Sequence, residues 1–148
     1  MIPVMQSNIS THGGDCFAAC VASILESPLT LVPKPSVRET QHYDAFWYYV
    51  RKVNRHFLKK RGLYCAWLPA LNLNDREVYF PEGLHVAVVQ VEAMTLDGNR
   101  AGTAAHCVVG QGKKVIHNPS PVQCRIVGYL GFYLLLPIDP NTVRVIDR

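Results

Sequence analysis

The spacing of hydrophobic residues changes near residue 62, from a pattern typical of helices to one typical of strands. Before that position, residues 15–26 form a run that is apolar on nearly every face, which is typical of a short buried helix. Residues 43–61 place apolar side chains three or four positions apart, which predicts a second helix that packs one face and ends at Gly62. Between them, the proline-rich stretch 29–35 predicts a connection without regular structure.

After Gly62, short apolar runs rich in β-branched residues alternate with turn residues, which predicts strands. Helices followed by strands indicate an α+β fold, with an antiparallel sheet packed against the first helix. A chain of 148 residues fits one domain, 1–148, with a helical part at 1–62 and a mainly β part at 63–148. We expect strands at 63–68, 84–91 and 126–136, a hairpin at 105–119, a long loop at 69–83, a turn within 92–104, and an edge strand or a loose segment at 143–146.

The start of the first helix carries the most specific chemical signal. Two glycines can turn the chain sharply, and Asp15 is a good N-cap residue whose carboxylate accepts backbone N–H groups. Cys16 then falls in the first helical turn, where the helix dipole favours the thiolate, which is the nucleophilic form. The pattern predicts a catalytic nucleophile; the alternative is an inert core thiol, because free cysteine is often buried.

A nucleophilic cysteine needs a base and an orienting group, and the hairpin at 105–119 supplies candidates for both. If the turn centres on Gly112, His106 lies beside Asn118 on one face of the sheet. If the loop is the two residues 111–112, His117 faces His106 and Asn118 points to the other face. The sequence leaves both registers open.

These motifs resemble those of the papain-like cysteine hydrolases, and especially the small C39-type peptidase-like proteins of bacteria and phages. The resemblance rests on Gly-Asp-Cys-x-x-Ala-Cys-x-Ala-Ser at 14–23 and on His-x-Val-Val followed by His-Asn-Pro within 106–119. It implies a papain-like fold, with Cys16 as nucleophile, His106 as base and Asn118 as orienting residue. It also implies a glutamine donor to the oxyanion: Gln6 is the glutamine upstream of the cysteine, with Asn8 or the Cys16 backbone N–H as alternatives.

The resulting expectation is a cysteine peptidase or amidase that cleaves an amide or related acyl bond through a Cys16 thioester. A protein or peptide is the expected substrate, and the same residues suit deamidation or acyl transfer if the acceptor changes. The alternative is a papain-fold protein that binds or inhibits a partner without catalysis. Nothing in the sequence indicates an oligomeric state.

Composition and charge limit the classes of protein to which this chain can belong. The chain is 49% hydrophobic and 18% charged, which is typical of a globular protein. No apolar run is long enough to span a bilayer and the N-terminus lacks a signal-peptide pattern, so we expect a cytoplasmic protein without membrane contact. Five irregularly spaced cysteines fit that compartment. The net charge of +4 arises partly from the basic residues within 51–61. We interpret these residues as a solvated helix face and not as a nucleic-acid site, because core residues interrupt the basic residues and no aromatic motif accompanies them.

A zinc site is the competing chemistry for the same side chains. Cys16 and Cys20 are four residues apart on one helix face, and the hairpin offers further Cys and His ligands. Against zinc, no Cys-x-x-Cys pair exists, and His106 and Cys107 are adjacent strand residues that point to opposite faces. We therefore expect no metal and no cofactor. The remaining residues are interpreted as core thiols (Cys20, Cys65, Cys107, Cys124), as an exposed or supporting histidine (His117), as a loop residue (His12) and as a strand histidine without an obvious partner (His85).

Overall fold

Helices occupy the first part of the chain and strands the second. In the computed structural model, residues 1–9, 14–40, 43–70, 78–94, 100–122 and 124–138 are described. Helix α1 spans Cys16–Ile24, α2 spans Val37–Thr40 and α3 spans Tyr43–Val53.

Helix α3 continues into a π-helical turn at Asn54–Leu58 and a 3-10 turn at Lys59–Arg61. Gly62 then ends the helix in the left-handed conformation, with φ of 69°. The helix predicted for 43–61 is thus confirmed in extent, although its last two turns depart from α geometry. Regular structure is also found where none was predicted, because Leu29–Leu31 forms a 3-10 turn after Pro28, whose ring fixes a φ that suits the start of a helical turn.

Five strands form one antiparallel sheet in the order β1-β5-β2-β3-β4. They are β1 (Leu63–Pro69), β2 (Leu84–Met94), β3 (Arg100–Gln111), β4 (Lys114–His117) and β5 (Ile126–Pro137). The prediction of an α+β fold with an antiparallel sheet is confirmed. The turn predicted within 92–104 falls partly on strand residues, because β2 and β3 extend as a long hairpin to positions 94 and 100. The tip of this hairpin, residues 71–77 of the predicted loop at 69–83, and the 143–146 segment lie outside the described residues.

The sheet has a buried cluster on each face. Val88 and Val109 pack with α1 residues such as Phe17 and Val21 on one face. On the other face Val89 and Val108 pack with Phe132, as expected from the alternation of side chains along a strand. Helix α1 is therefore enclosed between the sheet and α3, and its first residue reaches the edge of the sheet at β3.

The β3–β4 hairpin follows neither of the two predicted registers. Its turn consists of Gly112 and Lys113, so that Gln111 pairs with Lys114, and a bulge then places Val109 opposite His117. Gly112 has φ of 54°. A two-residue hairpin turn needs positive φ at its first central residue, which glycine adopts without strain. This requirement makes Gly112 the first turn residue, so the turn lies one residue later than the predicted 111–112 loop.

Candidate active site

Cys16 lies at the first turn of α1, against the part of β3 that extends beyond its pairing with β4. Because β4 ends at His117, opposite Val109, the edge of β3 at residues 106–107 faces the helix instead of another strand. The Cys16 sulfur hydrogen-bonds to the His106 imidazole and to both the side chain and the backbone of Cys107. Cys16 as a whole residue is partly buried, unlike Cys20, Cys65 and Cys107, which are buried.

The His106 imidazole connects Cys16 to Asn118. Its Nε2 lies 2.8 Å from Asn118 Oδ1, and the backbone N–H of Ser120 donates to the same oxygen at 3.0 Å. Since Ser120 N–H can only donate, the Asn118 atom at this position is the amide oxygen, and His106 Nε2 must carry the hydrogen. The other ring nitrogen, Nδ1, is then unprotonated in the neutral ring and can accept the Cys16 proton.

The electrostatics of the pair favour a thiolate beside an imidazolium. The hydrogen bond from the Cys107 side chain, together with the hydrogen bond and charge of His106, holds the pKa of Cys16 well below the 9.0 of a free thiol, against the effect of burial. Burial alone would lower the pKa of His106. The hydrogen bond and charge of Cys16 and the hydrogen bond of Asn118 outweigh burial, so the pKa of His106 is raised above 6.5. The pKa of Cys107 is raised by the same hydrogen bond and by burial, so Cys107 remains a neutral thiol donor.

The backbone of Gln6 pairs with Pro119, the residue that follows Asn118. Gln6 N–H donates to the carbonyl oxygen of Pro119 at 3.0 Å. Its side-chain Oε1 is buried and has no hydrogen-bond partner among the described residues. A buried amide atom without a partner is energetically unfavourable unless a ligand satisfies it, and rotation of the amide exchanges oxygen for NH₂ at this position. Gln6 is therefore available to bind a polar atom of a ligand.

Asp15 anchors the N-terminal arm, defined as residues 1–9, beside the site. Its buried carboxylate accepts hydrogen bonds from Ser7 N (2.9 Å), Ser7 Oγ (2.6 Å) and Asn8 N (3.0 Å). Lys34 Nζ lies 3.6 Å from the carboxylate and donates to Ser7 Oγ at 2.6 Å. The prediction that the Asp15 side chain caps α1 is wrong, because no side-chain cap hydrogen bond forms and the arm occupies both oxygens instead.

The arm also contacts the sheet, through His117 at the end of β4. Its Nε2 lies 2.9 Å from the carbonyl oxygen of Val4, so His117 supports the arm. His85 is buried, with Nδ1 2.9 Å from the Gly83 carbonyl, and its ring packs edge-on against Phe132. His12 lies outside the described residues.

The other cysteines differ in their surroundings. All five are free thiols, and Cys20 and Cys65 are buried in the core. Cys107 is also buried, and its side chain contacts Cys16. Alternation along the strand predicts that Cys107 and His106 point to opposite faces, yet Cys16 contacts both of them. Cys124 is only partly buried and accepts a weak hydrogen bond from Asn118 Nδ2 at 3.8 Å. In the described part of the chain, no three His, Cys, Asp or Glu residues are arranged to hold a metal ion.

Comparisons of the chain with protein-family models, curated proteins and solved structures found no match. Within the described ranges, no helix is long and apolar enough to cross a membrane. The geometry around Cys16 is therefore the basis for a functional interpretation.

Proposed function

We propose that this chain is a cysteine hydrolase that cleaves an amide or related acyl bond, with a protein or peptide as substrate. One observation carries the proposal: His106 bridges Cys16 and Asn118, with Nε2 donating to Asn118 and Nδ1 left for the sulfur. A nucleophile, a base and a residue that orients the base form the structural signature of this chemistry.

A papain-like fold is the finer structural part of the proposal. The nucleophile opens a buried helix, and the base and the orienting residue follow on an antiparallel sheet. That order is what the motifs at 14–23 and 106–119 imply by resemblance. Because the reaction needs a free thiol, we propose that the protein works in a reducing compartment, which fits a cytoplasmic location.

The first half of the proposed reaction is acylation. The Cys16 thiolate attacks the substrate carbonyl, and the carbonyl oxygen becomes an oxyanion. The Cys16 backbone N–H, which as a first-turn group has no acceptor within the helix, and the Gln6 amide donate to that oxygen. His106 gives its proton to the leaving amine, the carbon–nitrogen bond breaks, and a Cys16 thioester remains.

The second half is deacylation. His106 removes a proton from water, the resulting hydroxide attacks the thioester, and the carbon–sulfur bond breaks to release an acid and the Cys16 thiolate. With a glutamine side chain as substrate, the same steps amount to deamidation, and with an amine in place of water they amount to acyl transfer.

The first test is the rate at which iodoacetamide alkylates Cys16 as a function of pH, read by peptide mass spectrometry. Because the pKa of Cys16 is lowered, the thiolate persists as pH falls, so rapid labelling should continue well below pH 9.0. Cys65 is an internal control, since burial raises the pKa of its thiol to about 12. Cys20 and Cys107, whose pKa values are also raised, serve in the same way.

Two histidine variants separate the proposed pair from a general effect of the fold. In His106→Ala the labelling curve should move to higher pH, because the positive partner of the thiolate is lost. In His117→Ala, a matched change at a half-buried strand histidine that contacts Val4 instead, the curve should stay in place. Labelling of Cys16 no faster than that of the core thiols, or unchanged in His106→Ala, would contradict the proposal and favour a binding protein without catalysis.

A further inference from the structure

A second concave surface lies on the helical side of the molecule. The end of α3, the π-helical turn and β1 line an open depression of about 630 Å³, named here the basic groove. Its cationic lining includes Arg51, Arg55 and Lys59, and its aromatic lining is Tyr48 and Tyr64. None of the proposed catalytic residues lines it, so the basic groove is separate from the Cys16 site.

Helical spacing gathers the cations on one face. Arg51, Arg55 and Lys59 recur every four residues, and Tyr48 precedes Arg51 by three, so the four side chains share a stripe. The stripe crosses the π-helical turn at Asn54–Leu58. A π-helical turn is rare, and such turns within α-helices are frequent at functional sites.

The cations of the stripe have no intramolecular counter-charge in the described structure. Lys52, also in the lining, lies 3.4 Å from Glu39, but no carboxylate within the described ranges forms an ion pair with Arg51, Arg55 or Lys59. All three are exposed, and the described lining contains no acidic side chain. Like charges four residues apart repel one another, and an external anion relieves that repulsion.

Two exposed tyrosines give the groove a second kind of contact. The exposed fractions of Tyr48 and Tyr64 are 66% and 43%. They come from different elements, α3 and β1, so the sequence pattern within 51–61 could not reveal that an aromatic pair accompanies the basic residues. Flat aromatic side chains beside a row of cations are the combination by which proteins hold the bases and the phosphates of a single strand.

We propose that the basic groove binds single-stranded nucleic acid. The phosphates lie along Arg51, Arg55 and Lys59, and bases stack on Tyr48 and Tyr64. The exposed tyrosine rings favour a single strand, because its unpaired bases are free to stack on them, whereas the bases of a duplex are already stacked inside the helix and a lipid surface offers none.

The test measures binding of a fluorescently labelled oligothymidylate of about 12 nucleotides by anisotropy, at salt concentrations from about 50 to 200 mM. The double variant Arg51→Gln, Arg55→Gln should weaken binding. It should also make the slope of log K against log salt shallower by about 1.4, since each lost phosphate contact with a single strand contributes about 0.7. The matched control is Lys113→Gln, Lys114→Gln, which removes two exposed lysines at the β3–β4 turn and should change neither quantity.

The tyrosines are tested separately from the charges. Tyr64→Ala should weaken binding about tenfold or more without changing the salt slope, whereas Tyr64→Phe, which keeps the ring, should bind as the wild type does. Cys16→Ser should bind normally, so failure of the hydrolase proposal would leave this one standing.

Several results would overturn the proposal. These are the absence of saturable binding at low salt, equal weakening by the Lys113 and Lys114 control, or a Tyr64→Phe variant as weak as Tyr64→Ala. Tighter binding of a DNA duplex, of polyglutamate or of phosphatidylserine vesicles would likewise assign the basic groove to another class of anion.

Discussion

At the residue scale, Asn118 fixes the side of the His106 ring that faces away from Cys16. Asn118 Oδ1 accepts from His106 Nε2 at 2.8 Å and is itself held by Ser120 N–H at 3.0 Å. We expect Asn118→Ala to lower kcat/KM by about 100-fold, because an imidazole that loses this bond rotates away from the reacting atoms. The measurement is hydrolysis of the amide substrate found with the wild-type protein.

A pair of variants at the same position distinguishes orientation from packing. Asn118→Asp keeps an acceptor oxygen for His106 and should retain most of the activity, whereas Asn118→Leu keeps the volume but not the acceptor and should match Asn118→Ala. Equal activity of the Leu and Asp variants would show that Asn118 does not position His106.

The residues of the site differ in how far the sequence predicts them. Cys16, His106 and Asn118 belong to motifs, so residue type and local context were sufficient to select them. Cys107 was not selected, because strand alternation places it on the other side of β3 from His106. At an unpaired strand edge, however, the helix can contact both residues, and such edges depend on where β4 ends.

At the element scale, a buried carboxylate holds the N-terminal arm at Ser7 and Asn8. Asp15 receives three hydrogen bonds from Ser7 and Asn8, and these residues follow Gln6 directly. We expect Asp15→Asn to lower the free energy of unfolding by about 1–3 kcal/mol. The carboxylate accepts hydrogen bonds at both oxygens, whereas the amide has one acceptor oxygen and an NH₂ group that only donates. Lys34→Gln should lower the free energy of unfolding by less than about 1 kcal/mol, since Lys34 is half exposed.

The pH dependence of unfolding provides a second measure of the Asp15 contribution. Burial opposes ionisation, but hydrogen bonds from Ser7 and Asn8 and the charge of Lys34 lower the pKa of Asp15 below 3.8. The stabilisation is therefore complete above pH 3.8 and is lost as pH falls through the lower pKa of the folded state. Urea unfolding of Asp15→Asn should lack this acid limb; an unchanged limb would contradict the assignment.

The pairing of β2 with β3 requires a glycine opposite His85. A Cβ atom at Gly110 would overlap the His85 ring, which is buried and held by Gly83. We expect Gly110→Ala to lower the free energy of unfolding by about 1–3 kcal/mol in urea, as overpacking usually does. Gly83→Ala is the control, because a Cβ there has no atom within 4 Å; equal losses in the two variants would exclude overlap with His85 as the cause.

The positions of the main elements were more predictable than the irregularities inside them. Apolar spacing located α1, α3 and the strands, but not the π-helical turn at Asn54–Leu58. That turn places the Asn54 side chain on β1, where its Oδ1 accepts the Cys65 N–H at 2.6 Å. The π-helical turn is thus stabilised by a contact with a strand outside the helix, so the helix sequence alone does not predict the turn.

At the scale of the whole molecule, the fold class could be predicted and the strand order could not. Helical and strand periods are local, and their sequence along the chain indicates α+β. Strand β1 pairs with β5, which joins Leu63 to Pro137. A pairing so distant in the chain is decided by packing of the complete core against α1, for which a single sequence contains no local pattern.

Phe17 connects the three layers of this core. Its ring packs edge-on against Phe46 and Tyr49 of α3, with centroids 5.6 and 5.7 Å away, and against Tyr133 of β5 at 5.2 Å. Phe17 is only 1% exposed, so Phe17→Ala leaves a cavity where helix, helix and sheet meet. We expect a loss of about 3–5 kcal/mol in the free energy of unfolding, measured in urea.

Tyr48→Ala is the matched control, since it removes an aromatic ring that is 66% exposed and should change stability by no more than about 0.5 kcal/mol. Phe17→Leu should fall between the two, because leucine fills part of the cavity. If Phe17→Ala unfolded at the same urea concentration as Tyr48→Ala, α1 would not be anchored by these rings. The position of Cys16 at the edge of β3 would then have to depend on the hydrogen bonds of the arm and of His106 alone.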